Sequence, residues 1–419
     1  MLIELAVANF RSIRDEQRLS LVAGPGKELA ETNALVAPAP DGSKPLTLLR
    51  SAAIYGANAA GKSNLVKALA TMRTIVLTSH QELKQLPVTP FRFNSESAGL
   101  PTLFEVVLLM DGVRYQYGFT ATAERIHSEW LFAYPKGRPQ KWFERSYLPD
   151  QNADEITVGD KVAGDKEVWR RATRTNALFL STAVQLNSVQ LQPLVHWFED
   201  KLQIIGVYDS APWATLERCE GDSKASILDF LNAADLGIEN IRLEDDDRGI
   251  SFRDLANIPA AIRITGQRMK ALFQHRLADG MAVDLDLRDE SDGTQKMFAF
   301  AAPWLQALEE GRVLIVDELH DNLHPALVRF LVGLFHSPET NPKGAQLVFT
   351  THETSILNQD ILRRDQVWFC ERDERQATRL YPLTDFSPRK GLENLERSYL
   401  AGRYGALPYL KALSAPLGN

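Results

Sequence analysis

The chain is 419 residues long with 44% hydrophobic content, so we expect a large buried core divided between two lobes. Its formal charge of -7 argues against wholesale non-specific nucleic-acid binding, although a local basic face is compatible with it. Two widely separated cysteines, Cys219 and Cys370, exclude a disulfide framework and a cysteine-based zinc site. The N-terminus lacks a signal-peptide pattern and no apolar run reaches about eighteen residues, which predicts a soluble, cytoplasmic protein without a membrane span.

In chain order, the first predicted elements form a hairpin. Residues 2–9 alternate as a strand does, and Leu19 to Val22 open a second strand. The turn between the strands contains the sequence NFRSI, from Asn9 to Ile13. Glycine and proline are frequent in residues 23–46, which we predict to be a loop.

The most specific motif follows in Tyr55 to Leu69, with the sequence YGANAAGKSNLVKAL. A short apolar strand signal at 52–54 precedes it, and apolar residues at helical spacing follow it. The sequence between them fits G-x-x-x-x-G-K-S, the phosphate-binding loop, in its required strand–loop–helix order. A Gly/Ala-rich turn could fit the same pattern, but both flanks favour binding of a nucleoside triphosphate.

Each position of this loop has a predicted role. Glycine lets the backbone turn tightly and approach the phosphates, and the loop N–H groups converge on the β-phosphate at the positive end of the following helix. Lys62 would reach the β/γ oxygens, and the hydroxyl of Ser63 would hold Mg²⁺. The predicted nucleotide contacts are Gly56, Asn58, Ala59, Ala60, Gly61, Lys62, Ser63 and Asn64.

A small antiparallel sheet is predicted next. Residues 87–101 have the composition of a loop. Leu103 to Met110 and Val113 to Phe119 then form a strand pair around an Asp-Gly turn. Glu129 to Phe132 and Lys141 to Arg145 are predicted to be further strands of the same sheet.

From about Val168 the pattern becomes helical. Leu194 to Leu202 has apolar positions at helical spacing, and so does Ser226 to Ile238, which we predict to start from a serine N-cap. Neither segment sustains heptads, so no coiled-coil arm is expected. Met281 to Leu287 alternates as a strand.

A second helix start is a candidate anion site. Glu290 to Leu308 begins with Ser-Asp-Gly-Thr, and Ser291 is a suitable N-cap. We predict that the N–H groups of Asp292 to Thr294 are left free to meet an anion. Pro303 removes one hydrogen bond and is predicted to bend the helix. A capped core helix without any ligand is the alternative interpretation.

Two further strands end in residues with catalytic chemistry. Val313 to Val316 is fully apolar and leads directly into Asp317 and Glu318, at the strand end where α/β sheets bind ligands. Asp317 suits the Mg²⁺ shell, and Glu318 could take a proton from an attacking water. The next buried strand, Gln346 to Thr350, leads to His352, which could donate to the γ-phosphate or to that water.

Zinc and packing are the competing explanations for the histidines. His320 and His324 lie four residues apart, but Pro325 and the lack of a nearby third ligand disfavour zinc. His352 could instead be a capping or packing residue, and the order of the motifs along the chain favours the catalytic role.

Together these motifs resemble the ABC-type ATPase head of the SMC/RecF/OLD division. The order of phosphate loop, Ser-Asp-Gly-Thr, apolar strand with Asp-Glu, and Thr-His spans nearly the whole chain. The chain is most similar to the stand-alone bacterial AAA ATPases of the RloA type, which are often found in phage-defence gene sets. The similar segments are NFRSI, ESDGTQKMFA, DELHDNLHP, TTHETSIL and YLAGRYGALP.

The resemblance implies a fold of the α/β class. It is a P-loop NTPase of the ABC-ATPase head type, with a mixed β core, a small antiparallel sheet and an inserted helical lobe. The implied division of the chain is an N-terminal part of the head at 1–150, a helical insert at 151–280 and a C-terminal part of the head at 281–419.

The resemblance also implies an assembly. Two heads would form a homodimer, or a higher oligomer, around two ATP molecules. Ser291 and Gly293 of one subunit would cap the γ-phosphate that Lys62 of the other subunit binds. The SDGT signature departs from LSGGQ, and no glutamine can be assigned to the usual metal- and water-contacting position.

Two candidate functions follow. The first is an ATP-hydrolysing sensor or regulator that controls a separately encoded effector, nuclease in type, in bacterial anti-phage defence. The effector is expected on another polypeptide, because the roughly sixty residues after Thr354 are too few for a typical further domain. The second is a RecF-like DNA-binding ATPase of repair or recombination, with Trp169 to Arg174, WRRATR, as a candidate basic segment. A transporter motor fits less well because of the signature and the N-terminal hairpin.

Overall fold

The structure is a computed structural model of the chain. It describes residues 1–37, 45–81, 84–206, 212–221, 223–245, 269–389, 391 and 393–408. The predicted loop at 23–46 and the predicted insert at 151–280 therefore lie partly outside the described residues.

A six-stranded, mostly parallel sheet forms the centre of the fold. Its strands stand in the order β11-β15-β16-β5-β17-β18, and all neighbours are parallel except β17 and β18. Alternate residues of β5 enter two different cores, with Ala52 and Ile54 on one face and Ala53 and Tyr55 on the other. Because both faces are covered, the strands are apolar throughout. The strands are β5 (Ser51–Tyr55), β11 (Leu202–Ile205), β15 (Val313–Val316), β16 (Gln346–Thr350), β17 (Val367–Arg372) and β18 (Thr378–Pro382).

A seven-stranded antiparallel sheet covers one side of this centre. It has the order β10-β9-β8-β7-β6-β1-β2, so the N-terminal hairpin belongs to the sheet that we predicted from later residues. This sheet is larger than the small sheet expected, and it shares one hydrophobic core with the helix that follows the phosphate loop. Its strands are β1 (Leu2–Ala8), β2 (Gln17–Ser20), β6 (Thr102–Met110), β7 (Val113–Ala121), β8 (Ile126–Tyr134), β9 (Gln140–Leu148) and β10 (Ala153–Val158).

Two smaller sheets complete the β structure. A two-stranded antiparallel pair is made by β3 (Ala34–Ala37) and β4 (Leu46–Leu49). A three-stranded antiparallel sheet consists of β12 (Asn240–Asp245), β13 (Met269–Arg276) and β14 (Ala282–Asp286).

The helices lie on both faces of the central sheet. The longest is α9, which contains Pro303 and begins at the N-cap Ser291, as predicted. The bounds are α1 (Ala30–Asn33), α2 (Lys62–Thr78), α3 (Ser95–Ala98), α4 (Lys166–Ala172), α5 (Phe179–Gln185), α6 (Gln192–His196), α7 (Trp213–Glu220), α8 (Lys224–Ala233), α9 (Asp292–Glu310), α10 (Pro325–His336) and α11 (Leu395–Leu400), with a π-helical turn at Trp197–Lys201.

The predicted fold class is confirmed: the protein is of mixed α/β type, with the phosphate-loop sequence between a central parallel strand and a helix. Three local predictions were wrong. Residues 23–46 are not all loop, because α1 and β3 lie within them, and residues 87–101 contain the short helix α3. Helix α8 begins at Lys224 after Ser223, so Ser226 lies inside the helix and is not its cap.

The predicted division into three ranges remains a prediction. The range 151–280 contributes helices α4 to α8, as expected for a helical insert. It also contributes β11, which pairs in parallel with β15 in the central sheet.

Candidate functional site

The phosphate loop joins β5 to α2 and has a backbone that requires glycine. Gly61 has φ +107°, in the left-handed region, and a Cβ there would lie 2.0 Å from Thr378 Oγ1. A Cβ on Gly56 would lie 2.1 Å from the carbonyl oxygen of Cys370. Both glycines are therefore needed for packing of the loop against β17 and β18.

Hydrogen bonds to residues that are distant in the sequence fix the position of the loop. The hydroxyl of Thr378 donates to the Ala60 carbonyl oxygen at 2.9 Å and contacts the hydroxyl of Ser12 at 2.7 Å. Asn64 Nδ2 donates to the same Ser12 hydroxyl at 2.7 Å. Since these groups are buried or half-buried, their hydrogen bonds restrict the loop strongly.

The loop leaves a set of backbone donors available. The N–H of Ala60 donates to Ala57 and the N–H of Asn64 donates to Gly61. The intervening N–H groups, those of Gly61, Lys62 and Ser63, have no acceptor within the described part of the chain. Helix α2 has no side-chain cap either. Free N–H groups at a helix start suit an anion.

Lys62 is buried against its own loop. Its ammonium group donates to the carbonyl oxygens of Gly56 at 2.8 Å and Ala57 at 3.1 Å, and it lies 2.9 Å from His352 Nε2. Burial lowers the pKa of Lys62 from its ordinary value. The lysine therefore lies beside the phosphate loop with its charge only partly compensated.

His352 is a hydrogen-bond acceptor in this arrangement. Burial and then the neighbouring ammonium of Lys62 lower the pKa of His352 to about 4, so the ring is neutral at physiological pH. Its Nε2 faces a lysine, which can only donate, so the ring proton lies on Nδ1. Nε2 can therefore donate to a phosphate only after Lys62 moves away and Nε2 gains a proton, from solvent or by a change of the ring tautomer.

Asp317 and Glu318 follow β15 at the end of the sheet that faces the loop. Asp317 Oδ1 accepts from the hydroxyl of Thr350 at 2.6 Å, and that hydroxyl accepts from the N–H of Glu318 at 2.7 Å. Glu318 has φ +52°, a left-handed conformation that is uncommon for this residue. Thr350 thus links the two acidic residues to the neighbouring strand β16.

One cavity of about 470 Å³ brings most of the predicted residues together. Glu318 and His352 line it together with the phosphate loop, so the structure brings these predicted residues together. Sequence reasoning missed Arg372 and assigned no role here to His320, although both also line the cavity. The loop residues that line it are Asn58, Ala59, Ala60, Gly61, Lys62, Ser63 and Asn64.

The residues present fit Mg²⁺ and a phosphate. Ser63 lines the cavity. Of the two carboxylate oxygens of Asp317, Oδ1 accepts a hydrogen bond from Thr350, whereas Oδ2 accepts none from the described residues. A serine hydroxyl and a carboxylate are oxygen ligands of the kind that Mg²⁺ prefers. Gly56 and Asp317 lie behind the cavity surface rather than on it.

The second predicted anion site is not part of this cavity. Ser291 is exposed at the start of α9, and among the described residues neither Ser291 nor Gly293 lines the cavity. A Cβ on Gly293 would lie 3.2 Å from the carbonyl oxygen of Asn322, so this helix start packs beside the segment that follows Glu318. The prediction of a free N–H at Thr294 was wrong, because Ser291 Oγ accepts from it at 3.1 Å.

The histidine pair and the basic segment have structural contacts. His324 Nδ1 accepts from the N–H of Ala326 at 3.2 Å and caps α10. Arg174 donates to the carbonyl oxygens of Ser79 and His80 near the end of α2, at 3.3 and 3.0 Å.

Other residues of the WRRATR segment also make contacts within the chain. Trp169 is buried, and Arg170 forms an ion pair with Glu167. Arg171 alone among the three arginines has no such contact within the described part of the chain. The segment is therefore a weak candidate for a DNA-binding face.

The chain matches the AAA_21 family model, described as "AAA domain, putative AbiEii toxin, Type IV TA system", over residues 51–358. The chain belongs to this family. The matched range includes the phosphate loop, the start of α9, the Asp-Glu pair and His352, so it covers every site residue that the sequence predicted. The matched part of the chain is therefore an AAA domain that contains a phosphate loop. No curated protein sequence is significantly similar to the chain.

Solved structures similar to the chain have low sequence identity. The SMC head domain from Thermotoga maritima is 13% identical and covers 91% of this chain and 98% of its own, with a TM-score of 0.39. An SmcHead bound to the C-winged helix domain of ScpA is 11% identical, covers 91% and 96%, and has a TM-score of 0.42. CbiO1 from Clostridium perfringens, part of the ABC transporter complex cbiONQ, is 11% identical, covers 96% of both chains and has a TM-score of 0.30.

Membrane insertion has no support from the helices. Among the described residues, none of the helices combines the length and the apolar character needed to cross a bilayer.

Proposed function

We propose that the chain binds ATP with Mg²⁺ and hydrolyses it to ADP and phosphate. The observation that carries this proposal is the single cavity that holds the free N–H groups of the phosphate loop, Lys62, Glu318 and His352. Cationic and N–H donors line this cavity together with the carboxylate of Glu318. That combination suits a triphosphate and an attacking water.

Each side chain then has a distinct task. Lys62 exchanges its two carbonyl acceptors for β- and γ-phosphate oxygens, which frees His352 Nε2 to take up a proton and donate to the γ-phosphate. Glu318 accepts a proton from the attacking water. Ser63 and Asp317 would hold Mg²⁺, which would supply positive charge to neutralise the phosphates.

We further propose that the functional unit is a dimer of heads. The start of α9 is exposed at Ser291 and does not line the cavity of its own phosphate loop, so it is accessible to a second subunit. In that dimer Ser291 and Gly293 of one subunit cap the nucleotide bound by Lys62 of the other. Nucleotide then controls dimerisation, and the dimer acts as a sensor or regulator of a separately encoded effector in anti-phage defence.

The family description supports a defence-related role, since it names a putative toxin of a type IV toxin–antitoxin system. A nuclease-type effector remains part of the proposal. The alternative, a RecF-like DNA-binding ATPase, has less support because Arg170 and Arg174 are engaged in contacts within the chain.

The test is the solution mass of the Glu318→Gln variant, measured by light scattering with and without ATP and Mg²⁺. We expect the variant to bind ATP, to turn it over 10²- to 10⁴-fold more slowly than the wild type, and to double its mass only with nucleotide. Turnover at the wild-type rate would refute Glu318 as the base. A mass that does not respond to ATP, although ATP binds, would refute nucleotide-controlled dimerisation.

A further inference from the structure

A second cavity, of about 620 Å³, opens beside the phosphate loop. We call it the arginine cavity, because four of its lining residues are Arg14, Arg372, Arg375 and Arg379. Arg372 also lines the cavity that contains Lys62, so the two cavities meet at this side chain. A ligand whose phosphates occupy the first cavity can therefore extend into the second.

The arginine cavity is built on a hairpin that is fixed to the phosphate loop. The hairpin consists of β17, β18 and the turn between them, and Thr378 anchors it to the Ala60 carbonyl oxygen. In the turn, Asp373 Oδ1 accepts from the N–H groups of Arg375 and Ala377, both at 2.8 Å. The hairpin backbone and the phosphate loop are thus held in a fixed relation by the Thr378 contact.

The charges of this cavity favour an electron-rich ligand. Of its carboxylates, Glu371 already accepts from the hydroxyl of Tyr381 at 3.0 Å, and Asp373 caps the turn. By contrast, the guanidinium groups of Arg375 and Arg379 donate no hydrogen bond to any described residue. Glu374, the third carboxylate, also lines the cavity and is an acceptor for a ligand amine.

We propose that the arginine cavity binds the nucleoside end of the triphosphate, with the base against guanidinium planes and within reach of Glu374. A guanidinium group stacks on aromatic faces and offers several donors to ring nitrogens and ribose oxygens. The cavity volume lies within the usual range for small-ligand sites. This inference rests on the proposed function, because it assumes that the phosphates bind at Lys62.

The test compares two ligands that share the phosphates and differ in the nucleoside. ATP and inorganic tripolyphosphate are titrated by calorimetry against the wild type, Arg375→Ala and Arg379→Ala. We expect each variant to bind ATP roughly threefold to tenfold more weakly, while tripolyphosphate binding changes by less than about twofold. Arg138→Ala is the control, because Arg138 is exposed in the turn between β8 and β9 and lines neither cavity.

Charge and shape are separated by a further variant. Arg379→Lys keeps the charge but loses the planar group, so it should bind ATP about as weakly as Arg379→Ala. Equal weakening of ATP and tripolyphosphate, or no weakening of either, would overturn the nucleoside assignment. If the folded wild type bound neither ligand, the proposed function would fail at the phosphate site, which the Lys62→Ala variant examines separately.

Discussion

The two helix starts that the sequence marks as anion sites differ in how the protein supports them. The start of α2 is buried, has no side-chain cap, and is backed by Thr378, Ser12 and the carbonyl oxygen of Cys370. The start of α9 is exposed and capped by its own Ser291. The first is thus pre-organised for a ligand inside one chain, whereas the second is a surface that needs another molecule to complete it.

The largest effect should come from the pre-organised start. Lys62→Ala removes the only side-chain cation that the loop itself supplies to the cavity, so ATP binding should weaken roughly 10- to 100-fold. Lys67→Ala is the matched control, because Lys67 lies on the exposed face of the same helix. Fluorescent-nucleotide titration measures both. Unchanged binding in Lys62→Ala would remove the phosphate site from this loop.

The exposed start can be tested by mixing variants. Ser291→Asp keeps a good N-cap but brings a carboxylate to the predicted γ-phosphate contact, so the variant should fold and lose ATPase activity. Ser291→Asn keeps the cap without the charge and should retain more activity. In the proposed dimer, each nucleotide site combines Lys62 of one subunit with Ser291 of the other. A homodimer of either single variant therefore has two defective nucleotide sites.

Mixed dimers discriminate between sites within one chain and sites shared by two chains. An equal mixture of Ser291→Asp and Lys62→Ala should recover about a quarter of wild-type activity, because half of randomly formed dimers contain one intact site. Assay of ATP turnover before and after mixing measures this. If mixing restores nothing while the two variants still dimerise, the start of α9 does not act in trans.

The phosphate loop and the start of α2 could be predicted from the sequence, because the residues that form them are consecutive in the chain. The strand β5, the glycines and α2 are consecutive, and Asp317 and His352 each follow an apolar strand. The position of one parallel strand end relative to another then follows from the sheet itself. The predicted roles of these residues remain predictions.

What the sequence could not predict depends on contacts between distant segments. Arg372 lines the cavity because β17 pairs with β5, and Thr378 supports the loop from across the hairpin. Strand β3 lies in the range that we predicted to be a loop. Its strand conformation depends on pairing with β4, which the composition of this range does not indicate. The free N–H predicted at Thr294 was wrong because the capping serine uses it.

Acid should lower the free energy of unfolding through a buried histidine, His336, that contacts the start of β5, the strand that leads into the phosphate loop. His336 Nε2 contacts Ser51 Oγ at 2.8 Å at the start of that strand, and burial lowers the pKa of His336 to about 4. The unfolded chain takes up the proton near its ordinary value of about 6.5, whereas the folded chain does so only near 4. The free energy of unfolding should therefore fall from pH 6.5 to pH 4, by up to about 3 kcal/mol from this residue.

Urea denaturation at pH 7.5, 6, 5 and 4 measures this dependence. His336→Gln, which retains polar atoms near Ser51, should flatten it, whereas His196→Gln at an exposed position should leave it unchanged. An equally steep dependence in His336→Gln would show that other groups cause the acid sensitivity.

The smallest effect is expected from Thr378, whose contact supports the phosphate loop before α2 and not the start of α9. Thr378→Val keeps the shape of the side chain but removes its hydrogen bonds to Ala60 and Ser12, at a position that is 1% exposed. Loss of these bonds should lower the free energy of unfolding by about 1 to 2 kcal/mol and weaken ATP binding only a few-fold. Thr157→Val is the control, since Thr157 is exposed on β10. If Thr378→Val lost stability but bound ATP normally, the loop would keep its ligand-binding shape without this anchor, and pre-organisation would have to come from the glycine packing and the Asn64–Ser12 hydrogen bond.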